Sequence, residues 1–184
     1  MSEKNKIIII LGPTATGKSS LAVKLARRYN GEVISADSRQ VYKGLDIGTG
    51  KITKKEMLGV PHHMLDITSP NKVFAVAEWQ KQTREKIDEI ISRGKLPIIC
   101  GGTGFYIQSI VDGIVLPEVP PNKKLRQRLE KKSLDELVKI LKKLDPKRLS
   151  NIDTKNKVRL VRAIEIANKL GTVPPIRQAQ GKNS

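Results

Sequence analysis

Apolar positions along the chain follow two regimes. In the first, short continuous runs alternate with helical stripes. Ile7-Ile8-Ile9-Ile10-Leu11, the stretch 32–36 around Val33-Ile34, and Leu96-Pro97-Ile98-Ile99-Cys100 read as strands buried on both faces. Residues 18–28 follow the first run as a helix, with Gly31 expected as its C′ glycine. Residues 74–93 place Val76, Trp79, Ile87, Ile90 and Ile91 on one helical face and stop at Gly94, so Trp79 is expected in a core. Residues 105–111 form another helical pattern. The alternation predicts an α/β fold, a parallel sheet of three strands flanked by helices. Residues 43–70 are rich in Gly, Thr, Pro and Lys and read as a functional or mobile loop with short elements.

The second regime begins at Leu116-Pro117-Glu118-Val119-Pro120-Pro121, where the composition breaks. Beyond it the pattern is all-helical: a helix near 123–132, another near 134–144 with Leu134, Leu137, Val138, Leu141 and Leu144 on one stripe, and a third near 155–170. From Gly171 the sequence turns polar. Three regions are expected: an α/β core at 1–116, a basic helical region at 117–171 and a tail at 172–184.

Charge separates the same regions. The net charge is +17, of which residues 1–116 carry 17 basic against 11 acidic side chains and residues 117–184 carry 18 against 7. The helical region is the electropositive one, which suits a polyanionic partner. Aromatic residues make up only 3%, which argues against a base-stacking platform. No apolar run approaches the length of a membrane span, the N-terminus lacks a leader-like apolar segment, and Cys100 has no second cysteine. A soluble, cytoplasmic, monomeric protein is expected.

The candidate chemistry starts at Gly12-Pro13-Thr14-Ala15-Thr16-Gly17-Lys18-Ser19, which satisfies G-x-x-x-x-G-K-[ST] between a strand and a helix. In such a turn backbone N–H groups converge on phosphate oxygens, the lysine reaches the terminal phosphates, and the hydroxyl of Ser19 is placed for a Mg²⁺ ion. Enzymes with this loop are most often kinases or ATPases, which add a metal-binding carboxylate at the end of a further strand. Here that strand runs into Gly101-Gly102, and Asp37, delivered by the second strand, becomes the carboxylate of interest. Gly48-Thr49-Gly50-Lys51 has no strand before it and is discounted as a second phosphate loop. His62-His63 has no third ligand at metal spacing and is read as structural or hydrogen-bonding.

The segments Gly12 to Ser19, Asp37-Ser38-Arg39-Gln40-Val41-Tyr42-Lys43-Gly44-Leu45-Asp46-Ile47-Gly48-Thr49, His62-His63-Met64-Leu65-Asp66, residues 96–106 and residues 156–165 resemble, in order, the tRNA dimethylallyltransferases (tRNA isopentenyltransferases). The resemblance implies a P-loop NTPase-like core with a helical tRNA-binding insertion. It also implies transfer of a dimethylallyl group from dimethylallyl diphosphate to the N6 amine of the adenosine 3′ of a tRNA anticodon. By the same resemblance Asp37 is the base, Thr103 and Lys18 join it in catalysis, and residues 12–19 hold the diphosphate with Mg²⁺. Asp37, Ser38, Arg39, Gln40, Thr103, Arg126, Val158, Arg159, Leu160, Val161 and Arg162 match positions that touch the tRNA anticodon stem-loop. Val158 stands where the family has a glutamine. Members are considerably longer, so a C-terminally truncated or incomplete chain is expected. Alternatives are an adenylate isopentenyltransferase, a P-loop small-molecule kinase that binds ATP, and an inactive tRNA-binding remnant.

Overall fold

The structure, a computed structural model, describes residues 6–114, 116–117 and 119–171. The expected tail at 172–184 lies outside them. The chain divides into two compact units, at Met1–Ile114 and Val115–Ser184.

The first unit runs β1 (Ile8–Leu11), α1 (Lys18–Arg28), β2 (Gly31–Ser35), a 3₁₀ turn (Ile47–Thr49), α2 (Lys54–Met57), β3 (His62–His63), α3 (Val76–Ser92), β4 (Leu96–Gly101) and α4 (Gly104–Val111). The strands form one parallel sheet in the order β1-β4-β2-β3. Side chains alternate across a strand, so β4 sends Ile98 and Cys100 to a core with Ala22, Val23 and Ala26 of α1. On the opposite face Ile99 meets Trp79, Ile87 and Ile90 of α3 and Tyr106 and Ile107 of α4. That two-sided cover is why β2 and β4 are buried along their length. In contrast β1, expected to be buried as well, lies at the end of the strand order among the described residues and leaves Ile9 and Leu11 exposed. Trp79 is fully buried, stacks on Tyr106 at 4.5 Å, and donates its indole N–H to Ser35 O at 3.1 Å.

Two further expectations change. The sheet has four strands rather than three: the pair His62-His63 lies along β2, and two residues are too few for a period to show. Gly31 is not the C′ residue of α1. Asn30 takes the left-handed conformation (φ 49°), while Gly31 opens β2 against β4, where an added Cβ would stand 2.7 Å from the Leu96 carbonyl oxygen.

The histidine pair has the hydrogen-bonding role expected of it. His62 Nδ1 lies 2.8 Å from Val60 O, and burial lowers the pKa of that ring. His63 Nε2 lies 2.6 Å from Glu32 Oε2. Glu32 is only 2% exposed and also accepts from Arg93 and Lys95, each at 2.8 Å. Burial opposes its charge, but hydrogen bonds from Lys95 and His63 and the charge of Arg93 hold its pKa down at about 2.

The second unit holds α5 (Lys123–Glu130), α6 (Leu134–Leu144), α7 (Pro146–Leu149) and α8 (Lys157–Leu170). Its core is Leu129, Leu137, Leu141, Leu160, Val161, Ala163 and Ile164. The helix starts are set locally. The Asn122 and Asn156 side chains accept from Leu125 N and Arg159 N at 3.1 Å, Ser133 and Glu136 form a capping box, and Pro146 occupies the first turn of α7.

Candidate active site

Because the strands are parallel, the segments leaving β1, β2 and β4 emerge at one edge of the sheet, the edge where open α/β sheets bind ligands. After β1 comes the 12–17 turn, in which Ala15 (φ 64°) and Gly17 (φ 80°) are left-handed. Alternation of this kind turns successive N–H groups inward as a nest for an anion. The left-handed alanine has no warning in the sequence, since the motif leaves that position open. The Lys18 ammonium donates to the Pro13 carbonyl, as does the Thr16 hydroxyl at 2.9 Å. Ser19 is exposed on the first turn of α1. Behind the turn Cys100 is buried, and burial pushes its thiol pKa up to about 11 against the charge of Lys18.

After β2 the chain turns at Asp37. Its Oδ1 accepts from Arg39 N at 2.9 Å and Gln40 N at 3.4 Å, and its Oδ2 has no hydrogen-bond partner among the described residues. The third segment, after β4, grips this turn. Ala36 N donates to Cys100 O at 2.8 Å, Thr103 N to Ala36 O at 3.0 Å, and Ser38 N to the Thr103 hydroxyl at 3.0 Å. Thr103 begins α4, but its side chain caps nothing there and is committed to Ser38 instead. The glycine at the end of β4 has a steric cause, since a Cβ on Gly101 would stand 2.2 Å from Ala36 O. No carboxylate fits at that position, and the nearby carboxylate comes instead from Asp37, in the turn that follows the adjacent strand β2. β4 lies between β1 and β2, so the strands that feed the 12–19 turn and the Asp37 turn are about 10 Å apart, two interstrand spacings. Tyr106 also borders Asp37: burial first, then the charges of Tyr42 and Asp37, push its pKa up to about 12.

The remaining expected contacts take different positions. Ser38 and Arg39 are exposed. The Gln40 side chain is used internally, accepting from the Ser35 hydroxyl at 3.1 Å and donating to Thr49 O at 3.2 Å. In the second unit Val158 and Arg159 face solvent, whereas the Leu160 and Val161 side chains are buried in the helical core. Arg126 and Arg162 both ion-pair with the buried Glu165, at 2.7 and 2.5 Å. Burial opposes ionisation of Glu165, and hydrogen bonds from Arg126, Asn122 N and Arg162 hold its pKa at about 2.

Sequence reasoning missed Lys51. Its ammonium has three donors and three acceptors: Tyr42 O at 3.0 Å, and Asp46 Oδ1 and Asp66 Oδ1 at 2.6 Å each. The node fastens both ends of the 43–68 excursion to the segment leaving Asp37, and it removes Lys51 from any phosphate loop. The acidic partners lie 5 and 15 residues away, a spacing that no local rule connects.

A parallel sheet opened by a glycine-rich strand–turn–helix, with two further polar turns at the same edge, defines an α/β protein of the P-loop NTPase-like fold. Known proteins narrow that class. The family model described as IPP transferase matches residues 40–184. The tRNA dimethylallyltransferase of Anoxybacillus flavithermus is 49% identical over 90% of this chain and 53% of its own length. The crystal structure of the tRNA isopentenylpyrophosphate transferase of Bacillus halodurans is 44% identical, with a TM-score of 0.62 over 92% of this chain and 57% of that one. A eukaryotic dimethylallyltransferase acting on tRNA is 33% identical, with a TM-score of 0.76 over 89% of this chain and 41% of that one. The chain belongs to the IPP transferase family. It spans about half the length of the curated relatives it matches. Among the described residues no helix is long and apolar enough to cross a membrane.

Proposed function

We propose that this chain carries the donor-binding and base-bearing part of a tRNA dimethylallyltransferase. The observation that carries the reading is the shared sheet edge, where the turn after β1 and the Asp37 turn after β2 leave strands separated by β4, about 10 Å by two interstrand spacings. That gap suits a short allylic diphosphate, with its phosphates in the 12–19 turn and its carbon end toward Asp37. The N6 amine of adenine is a weak nucleophile because its lone pair is delocalised into the ring. As its nitrogen bonds to the allylic carbon, the carbon–oxygen bond to diphosphate breaks and the amine must lose a proton. Asp37 Oδ2 is available to take it, while Oδ1 anchors the turn. Such assistance contributes on the order of 10²–10⁴-fold. The leaving diphosphate gains charge as the bond breaks, and the loop amides and Lys18 oppose that charge where it develops.

Mg²⁺ fits the donor set. The exposed Ser19 hydroxyl beside Lys18 offers the single hard oxygen that a largely hydrated ion takes alongside a diphosphate, and no cluster of three His, Cys, Asp or Glu competes for it among the described residues. Bound there, the ion would add positive charge at the diphosphate oxygens.

The substrate is a tRNA anticodon stem-loop, a reading supported by the family and by the charge of residues 117–184, with adenine leaving its stack to reach Asp37 at a cost of a few kcal/mol. Single-turnover transfer of labelled dimethylallyl to such a stem-loop tests the proposal. Asp37→Asn is expected to lower the rate at least about 10²-fold with RNA binding retained. Binding without transfer in the parent chain, unchanged by Asp37→Asn, would leave an RNA-binding remnant instead.

A further inference from the structure

The loop that follows the Asp37 turn presents an apolar side chain to water and is braced to do so. Ile47, in the 3₁₀ turn, is 99% exposed, and Leu45 beside it is 43% exposed. Single exposed apolar residues are ordinary on mobile loops. This one stands on a loop tied by several hydrogen bonds. The Thr49 hydroxyl donates to Leu45 O at 2.5 Å, Gly50 N donates to Ile47 O at 3.2 Å, and Lys51 N donates to Asp46 O at 3.1 Å. The Gln40 amide reaches Thr49 O and Gly50 O, and the Lys51 ammonium, 5% exposed, ties Asp46 to Asp66. The hydrogen bonds fix the backbone under Ile47, and a β-branched side chain has few χ1 rotamers to lose when it is covered, so the brace favours binding at the tip.

The surroundings indicate what covers it. Residues 39–56 carry Arg39, Lys43, Lys51, Lys54 and Lys55 against Asp46 and Glu56. Asp46 is paired with Lys51, and Glu56 caps its own helix through Thr53. Arg39, Lys43, Lys54 and Lys55 are exposed. An apolar point in a basic stretch suits a single-stranded RNA loop, in which phosphates meet the cations and an opened base step meets the isoleucine. The same Gln40 that supports the tip lies three residues from Asp37.

We infer that Ile47 is a wedge that packs against the bases flanking the extruded adenine of an RNA loop and stabilises its unstacked state. This rests on the tRNA reading above and adds a contact that the reading does not require.

The test uses an anticodon stem-loop with 2-aminopurine beside the target adenine, whose fluorescence rises on unstacking. The parent chain should brighten it on binding. Ile47→Ser should lose most of the brightening and weaken binding about tenfold, the loss of one buried aliphatic contact. Ile47→Met should restore both, and thermal unfolding of all three should coincide because the side chain is 99% exposed. Equal brightening and affinity for Ile47→Ser, with prenyl transfer intact in the parent, would overturn the wedge alone. Absence of RNA binding in the parent chain would overturn the wedge together with the tRNA reading. Concentration-dependent association of the protein without RNA, abolished by Ile47→Ser, would assign the tip to a protein contact and overturn it as well.

Discussion

At Thr103 a single hydroxyl joins two turns. It accepts from Ser38 N at 3.0 Å, one residue beyond the candidate base, and the Thr103 amide holds Ala36 O on the other side. The residue matters for where Asp37 stands as well as for any substrate it touches. Thr103→Val keeps the shape and deletes the acceptor, leaving Ser38 N to water at an exposed position. The expected result is a modest change in melting temperature, with a net hydrogen-bond loss of about 0.5–1.5 kcal/mol, and a larger loss in prenyl-transfer rate. Thr103→Ser, which retains the oxygen, should recover most of that rate. Equal rates for the two variants would remove the positioning role.

Among the elements, α8 combines two functions on one cylinder. Leu160, Val161 and Ile164 face the helical core, while Val158 and Arg159 face solvent. Leu160→Ala should destabilise the helical unit by about 2–5 kcal/mol, measured by denaturant unfolding. Arg159→Ala should leave stability within about 0.5 kcal/mol and weaken tRNA binding, with a flatter dependence of log affinity on log salt. Arg162 belongs to both sets, because its guanidinium is also a partner of Glu165. The sequence pattern showed Arg159 and Arg162 as neighbours three apart, but not that a buried carboxylate draws one of them inward.

For the molecule as a whole, two of the buried carboxylates link stability to acid pH, Glu32 in the sheet unit and Glu165 in the helical unit. Each has an ordinary pKa of 4.5 and is held at about 2 in the fold. A depressed folded-state pKa means the unfolded chain takes up protons first. The contribution is therefore complete above about pH 4.5 and is lost as pH falls toward 2. Unfolding midpoints should drop across that window, and Glu165→Gln should flatten the fall for the helical unit. At neutral pH that variant should lose on the order of 2 kcal/mol, less than for an enclosed pair because both arginines are about a third exposed.

The same division separates what could be read along the chain from what could not. Continuous apolar runs, helical stripes, the phosphate-loop spacing and the break near Leu116 are local patterns, and they determined the α/β core, its three main strands and the helical region. They singled out Asp37 as a carboxylate of interest, while its role as base came from the family resemblance. The two-residue strand β3, the left-handed Ala15, the Lys51 node, the Glu32 and Glu165 charge clusters and the commitment of Thr103 to Ser38 were decided only by tertiary structure. Each depends on partners brought together by chain folding or on backbone strain, and neither leaves a period in the sequence.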